Sequence, residues 1–227
     1  MDRSALRVAL VGVGAIGSAV LPLLRDDRVS SVLLIDGDTV ELGNLPRQLL
    51  YHSADVGAFK VAVAASRIAQ MNPAAAMHPV PCFLDAANCA TLLADADVVL
   101  DCCDDLHAKR LIAAHCQRMG RHLISAAVHG TQLQVFAQPP GAAPLFTGRI
   151  SAEQATCSMQ QVPLPVIAVC AALMVQRLVG MADGHATHVD VLDLVDLDEG
   201  RWMRFQQKGD AVPRHPLAYG HHKIPIA

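Results

Sequence analysis

Arg7-Val-Ala-Leu-Val-Gly12-Val-Gly14-Ala-Ile-Gly17 is the stretch on which the fold turns. An uncharged apolar run follows Arg7 and ends in Gly-x-Gly-x-x-Gly. Apolar residues at helical spacing come next. The run reads as a short buried strand through Gly12, and its sequel as a helix from about Ala15 to Arg25. The glycines permit a tight turn, close approach to a phosphate and close helix packing, while N–H groups at the helix start face the anion. Ser31–Asp36 (SVLLID) reads as a second buried strand. It closes on Asp36, where a carboxylate can accept hydrogen bonds from ribose hydroxyls. This placement marks a nucleotide fold and leaves NAD and ATP both open.

The alternation continues outward. A helix is expected over 57–71, stopping at Asn72-Pro73. Ala76–Cys82 contains Pro79 and Pro81 and can only be an edge strand. Asn88–Ala94 reads as helix, Asp97–Cys102 (DVVLDC) as a buried strand, 105–120 as a helix ending at Gly120, and His122–Ala127 as a strand. The pattern then changes. Thr131–Gln138 and His188–Leu197 read as strands, with Arg201–Gln207 pairing to the latter as a hairpin. Between them lie a Gly/Pro-rich stretch at 139–148, an uncharged segment and a helix around 164–180. The expected class is α/β: a Rossmann-like parallel sheet with helices on both faces, extended by antiparallel strands in the C-terminal half. One domain would span 1–211, with a nucleotide-binding half to about 128 and an antiparallel half over 129–211. Residues 212–227, rich in Pro and His, would form an extended tail.

Composition excludes several classes. A chain of 227 residues can bury a core without disulfides or structural metal. Its 52% apolar and 4% aromatic residues suit helices packed tightly on a sheet and argue against disorder. Eighteen basic against twenty-one acidic side chains give a net charge of -3. That supplies no standing electrostatic grip on nucleic acid, so a nucleic-acid partner is disfavoured. Ala5–Val13 runs into the glycine motif rather than a cleavage site. Val162–Val175 holds Pro163 and Pro165 and suits a core helix better than a membrane span. Seven cysteines without a CxxC pair fit neither a zinc knuckle nor a disulfide framework. The expectation is a soluble cytoplasmic protein. The eleven histidines are mostly scattered singly and suggest no metal site.

Chemistry enters after Asp36. The chain continues Gly37-Asp38-Thr39-Val40-Glu41-Leu42-Gly43-Asn44-Leu45-Pro46-Arg47-Gln48 and then reaches Lys60. A dehydrogenase has no use for an Asn, an Arg and a Lys presented here. Nucleotidyl transfer does, because charge spreading over phosphate oxygens needs fixed cations around it. Asp101-Cys-Cys-Asp104-Asp105 leaves the fourth strand at its carboxyl end, where ligands bind in such sheets. A carboxylate there can hold Mg²⁺ against phosphates, while Asp101 itself caps or orients the strand end.

In order, strand–GxGxxG, DxDxVxxxNLxRQ, GxxK and DxxD resemble the ThiF/MoeB/HesA family of the E1-like (ubiquitin-activating-enzyme-like) superfamily, from about Arg7 to Gly180. The resemblance implies an adenylyltransferase that uses Mg-ATP to activate the C-terminal Gly-Gly carboxylate of a small ubiquitin-like or sulfur-carrier protein. It also implies a homodimer. Carried over by motif, Gly12, Gly14 and Gly17 would line the nucleotide and Asp36 would meet the ribose. Asn44, Arg47 and Lys60 would contact the phosphates, and Asp104 would position Mg²⁺ or act directly. Cys157, in Ala155-Thr-Cys157-Ser, matches the crossover segment where relatives carry the carrier as a thioester or persulfide. A thiolate there is a suitable nucleophile toward an acyl-adenylate.

Departures from the family pattern shape further expectations. Its two CxxC pairs are absent near 144–148 and near the C-terminus, so no structural zinc is expected. The helix that lends an arginine to the partner's nucleotide is not evident, leaving Arg3 or Arg7 as substitutes. Asp105 replaces the usual Asn and brings negative charge toward the polyphosphate. Cys102, Cys103, Cys116 and Cys170 read as core. The alternatives are an ATP-dependent tRNA-nucleoside dehydratase of the same superfamily, a non-catalytic scaffold or dimerisation subunit, and an NAD-linked dehydrogenase.

Overall fold

Val8–Val11 is buried on both faces of its strand, which requires a layer of helices above and below the sheet. The structure, a computed structural model, describes residues 5–24, 28–71, 73–74, 76–142, 162–185 and 188–206. Strand β1 (Leu6–Val11) lies between β2 (Val29–Ile35) and β4 (Val98–Asp101), parallel to both. Beyond β2 runs β3 (Ala76–Val80), and beyond β4 runs β5 (His122–His129), again parallel. The direction then reverses through β6 (Gln132–Gln138), β7 (Val191–Asp196) and β8 (Arg201–Gln206). Among the described residues the sheet has eight strands in the order β3-β2-β1-β4-β5-β6-β7-β8. The expected α/β class, parallel core and antiparallel extension are all present.

Helices α1 (Ala15–Val20), α2 (Lys60–Met71) and α5 (Leu164–Ala182) cover one face. Helices α3 (Cys89–Leu92) and α4 (Leu106–Met119) pack on the other. α1 stops short of the expected Arg25, which lies outside the described residues. Pro22 has no N–H to extend the helical ladder, and the chain tightens into a 3₁₀ turn over Leu21–Leu23. α2 starts at Lys60 rather than 57 because the preceding residues are used elsewhere. Thr39 bridges Phe59, and Val40 exchanges backbone bonds with Ala58 (2.8 Å) and Gly57 (2.9 Å). β3 occupies the sheet edge, as its proline demands.

α5 is long and apolar enough to cross a membrane by length and composition. Here Val166, Ile167, Cys170, Ala171, Met174 and Leu178 are buried in the core that it shares with α1, β5 and β6. Its Arg177 reaches the fully buried Asp193 on β7. Asp193 also accepts from Trp202 Nε1 (2.9 Å) and Arg204 Nε (2.8 Å) on β8. Arg3, the segment 143–161 with Cys157, and the tail 212–227 lie outside the described residues.

Candidate active site

The order β2-β1-β4 makes consecutive crossovers leave β1 in opposite directions, so a crevice opens at the carboxyl ends of these strands. A cavity of about 460 Å³ occupies it, within the range of small-ligand sites. Gly12, Gly14, Asp36, Asn44, Arg47, Lys60 and Asp104 all line it. Seven residues singled out from scattered positions in the sequence are thereby gathered in one place.

The glycine loop is shaped by contacts on both sides. Gly12 has φ of +86°, and a Cβ there would lie 2.9 Å from the Cys103 backbone, so this turn admits only glycine. Gly17 does not line the cavity as expected. A Cβ on it would collide with the Gly12 carbonyl oxygen, so its part is to let α1 pack onto the turn. Gly14 opens to the cavity. Asp36 braces the loop: Oδ2 accepts from Val13 N (2.7 Å) and Oδ1 from Asp38 N (2.8 Å). Tyr51 hydroxyl donates to Val13 O (2.7 Å) from the opposite side. Burial pushes the Asp36 carboxyl above its ordinary range, and the two backbone N–H groups offset that only in part.

The cations arrive from the connection between β2 and α2. A 3₁₀ segment over Leu42–Arg47 folds Arg47 back on itself, donating to Gly43 O (2.8 Å) and Asn44 Oδ1 (2.6 Å). Lys60, at the first turn of α2, is buried, with Nζ 2.8 Å from Asp38 Oδ2. Backbone reinforces the pair, since Lys60 N donates to Asp38 O (3.0 Å).

At the end of β4, Asp101 is 1% exposed and fully engaged. It accepts from Lys109 Nζ (3.0 Å), Ser125 Oγ (2.6 Å) and Cys103 N (3.2 Å), which makes it an orienting group as the sequence suggested. Burial pushes the Lys109 ammonium down, but its surroundings, Asp101 first among them, together outweigh burial and the net shift is upward. Asp104 is exposed on the cavity rim. Asp105 lines the cavity too, yet it is also the N-cap of α4, accepting from His107 N (3.2 Å) and Ala108 N (2.8 Å). Its charge is thus shared with a helix N-terminus rather than simply added to the site. Cys103 is half-buried beside the cavity rather than in the core, and burial with Asp101 raises its thiol well above the ordinary value. That environment disfavours the thiolate form.

Three contributors carried no role in the sequence reading: Asp38, Gln48 and Tyr51. Asp38 and Gln48 stand within DxDxVxxxNLxRQ, so the motif held the signal; only the contacts show what they touch. Among the described residues no group of three or more His, Cys, Asp or Glu could hold a metal by itself.

A glycine loop on a parallel sheet, a braced carboxylate and two cations at the switch point define a nucleotide-binding protein of the Rossmann type. A model of the ThiF family matches residues 2–213, and the chain belongs to that family. It is 36% identical over 185 residues to the molybdopterin-synthase adenylyltransferase of Escherichia coli (strain K12), covering 79% of this chain and 74% of the relative. To the sulfur carrier protein ThiS adenylyltransferase of the same organism it is 28% identical over 200 residues, covering 86% and 80%. Of the adenylyltransferase and sulfurtransferase uba4 of Aspergillus fumigatus it spans 28% of the length. Among solved structures, E. coli MccB with ATP superposes at a TM-score of 0.78 and 19% identity, over 90% of this chain and 65% of that one. That likeness concerns the fold.

Proposed function

We propose that the chain is an ATP-dependent adenylyltransferase that activates the C-terminal glycine carboxylate of a small ubiquitin-like or sulfur-carrier protein. The observation that carries this is the convergence of Asn44, Arg47, Lys60 and Asp104 with Asp36 on one cavity. The named E. coli relatives are adenylyltransferases, one of them acting on the sulfur carrier ThiS.

In the reaction a carboxylate oxygen of the carrier attacks the α-phosphorus. The bond to the bridging oxygen breaks, and pyrophosphate leaves with that electron pair. Each residue has a role consistent with its contacts. Asp36 offers a remaining lone pair on each oxygen to ribose hydroxyls. Lys60 keeps two N–H donors beyond its bond to Asp38, and Arg47 keeps donors beyond Gly43 and Asn44. Fixed cations of this kind stabilise the charge that grows on the phosphate oxygens. Asp104 would hold Mg²⁺, which neutralises phosphate charge and needs only one or two protein carboxylates because phosphates and water complete its shell. A cytoplasmic homodimer would let a second copy supply the arginine that the family lends across its interface. Cys157 is proposed as a later acceptor of the activated carrier.

ATP–pyrophosphate exchange with a panel of small carriers ending in Gly-Gly tests the reading. Exchange that depends on one carrier is the expected result and names the partner. ATP binding without exchange for any of them overturns carrier activation. A covalent carrier adduct that persists in Cys157→Ser, with exchange intact, removes Cys157 from the scheme.

A further inference from the structure

We propose that the side-chain amide of Gln48 is a substrate-contacting group, donating a hydrogen bond to a phosphate oxygen of the bound nucleotide. The proposal rests on the adenylyltransferase reading above and adds a neutral donor to its two cations.

The backbone gives Gln48 little freedom. Its N–H donates to Leu45 O (3.4 Å) at the end of the 3₁₀ segment, and its carbonyl accepts from Tyr51 N (3.0 Å). Tyr51 in turn bonds the glycine loop through Val13 O (2.7 Å). The segment carrying Arg47 is thus tied to the loop beside Gly14, and Gln48 is fixed where the two meet.

Its side chain is the unusual feature. Gln48 is 4% exposed and forms part of the cavity wall, yet its Oε1 has no hydrogen-bond partner. Oε1 only accepts and a phosphate oxygen cannot complete it, so the end of this buried amide that a nucleotide can engage is the NH₂ group. A Cβ on Gly14 would begin 3.8 Å from Nε2, and no other atom outside the immediate chain comes within 4 Å of that point. Gly14 and the amide therefore face the same open space. Rotation about the last side-chain bond exchanges two ends of nearly equal size, so the amide can present either a donor or an acceptor. Toward an anion held against the glycine loop, only the NH₂ end is favourable.

A neutral donor suits this position. Arg47 and Lys60 already supply the charge, and a third cation buried behind the loop would pay a desolvation cost that an amide avoids. What the amide adds is direction: a bond that depends on where the phosphate oxygen lies.

The test is competitive displacement of a fluorescent ATP analogue from the full chain by ATP, AMP and adenosine. It is run on the wild type, on Gln48→Met, which keeps length without a donor, and on the isosteric Gln48→Glu. Gln48→Met is expected to weaken ATP and AMP about ten- to a hundredfold, the range for a hydrogen bond to a charged group. Adenosine should be unchanged within about twofold. Gln48→Glu should weaken the phosphate-bearing ligands more than Gln48→Met and likewise spare adenosine; it carries the test alone where the Met variant does not fold. Equal losses for adenosine would show that Gln48 only shapes the cavity, and unchanged ATP and AMP would show that it makes no contact. Either result overturns the proposal while leaving the enzyme reading intact. A folded wild type that binds no ATP overturns that reading and this proposal together.

Discussion

Asp104 after β4 and Asp193 on β7 are carboxylates on the same sheet with opposite surroundings. Asp193 has no exposed surface and accepts from Arg177, Trp202 and Arg204. Asp104 is exposed on a cavity rim. The cations divide in the same way. Arg177 and Arg204 converge on one buried acceptor, whereas Arg47 and Lys60 are held by short bonds that leave further N–H groups facing a cavity. In the antiparallel half charge fastens α5, β7 and β8 together. In the parallel half it is kept in place but left with capacity to spare, as binding an anion requires.

Breaking the buried cluster should give the largest effect. Asp193→Ala removes the acceptor common to three donors and leaves a buried guanidinium without that carboxylate, costing about 3–5 kcal/mol of stability. Chemical denaturation measures it, and a loss below about 1 kcal/mol would refute the structural role assigned to this cluster. Its pH dependence follows from the shift. Burial pushes the Asp193 carboxyl up, but the bonds from Trp202, Arg177 and Arg204 outweigh burial and hold it below its ordinary value. A depressed carboxylate contributes stability above the unfolded value of about 3.9 and loses it as pH falls through the folded one. The gap between wild type and Asp193→Asn should therefore be full at neutral pH and begin to close only below about pH 4.

Asp104→Ala should do the reverse. Adenylation is expected to fall about a hundred- to a thousandfold, comparable to removing one group that stabilises a charged transition state. Stability should move by no more than about 0.5 kcal/mol, as for an exposed side chain without buried partners. Full exchange activity in this variant would take Asp104 out of the reaction.

The two halves were also unequally legible. The parallel half is written in local signals: apolar runs of strand length, glycines at a turn, Asp36 at a strand end. These survive because strand, loop and helix succeed each other along the chain. The order of residues in DxDxVxxxNLxRQ was enough to bring Asn44 and Arg47 to the cavity. The close helix packing expected of the glycine loop falls to Gly17, but the order did not show that the Gly12 carbonyl is what meets it across the turn. Nor did it show that Lys60 is held by Asp38, a contact made by the bridge between Thr39 and Phe59. In the antiparallel half the strands were readable, but the partnership of Arg177 with Asp193 was not. No periodicity announces an ion pair between a helix and a strand, and an Arg inside an apolar helix reads equally well as solvated.

Asp105 stands between the two uses of charge and gives the finest test of the contrast. As the N-cap of α4 it bonds His107 and Ala108, while lining the cavity beside Asp104. Asp105→Ala should cost about 1 kcal/mol, the usual worth of a cap. Asp105→Asn separates the roles, because asparagine caps about as well as aspartate but carries no charge. Its stability should stay within about 0.5 kcal/mol of wild type. ATP affinity should rise by about threefold, since a charge at a solvated rim repels phosphate only weakly. Titrating ATP into both variants decides it. Unchanged affinity in Asp105→Asn would assign the residue wholly to the helix, and the boundary between fastening charge and binding charge would then fall between two adjacent aspartates.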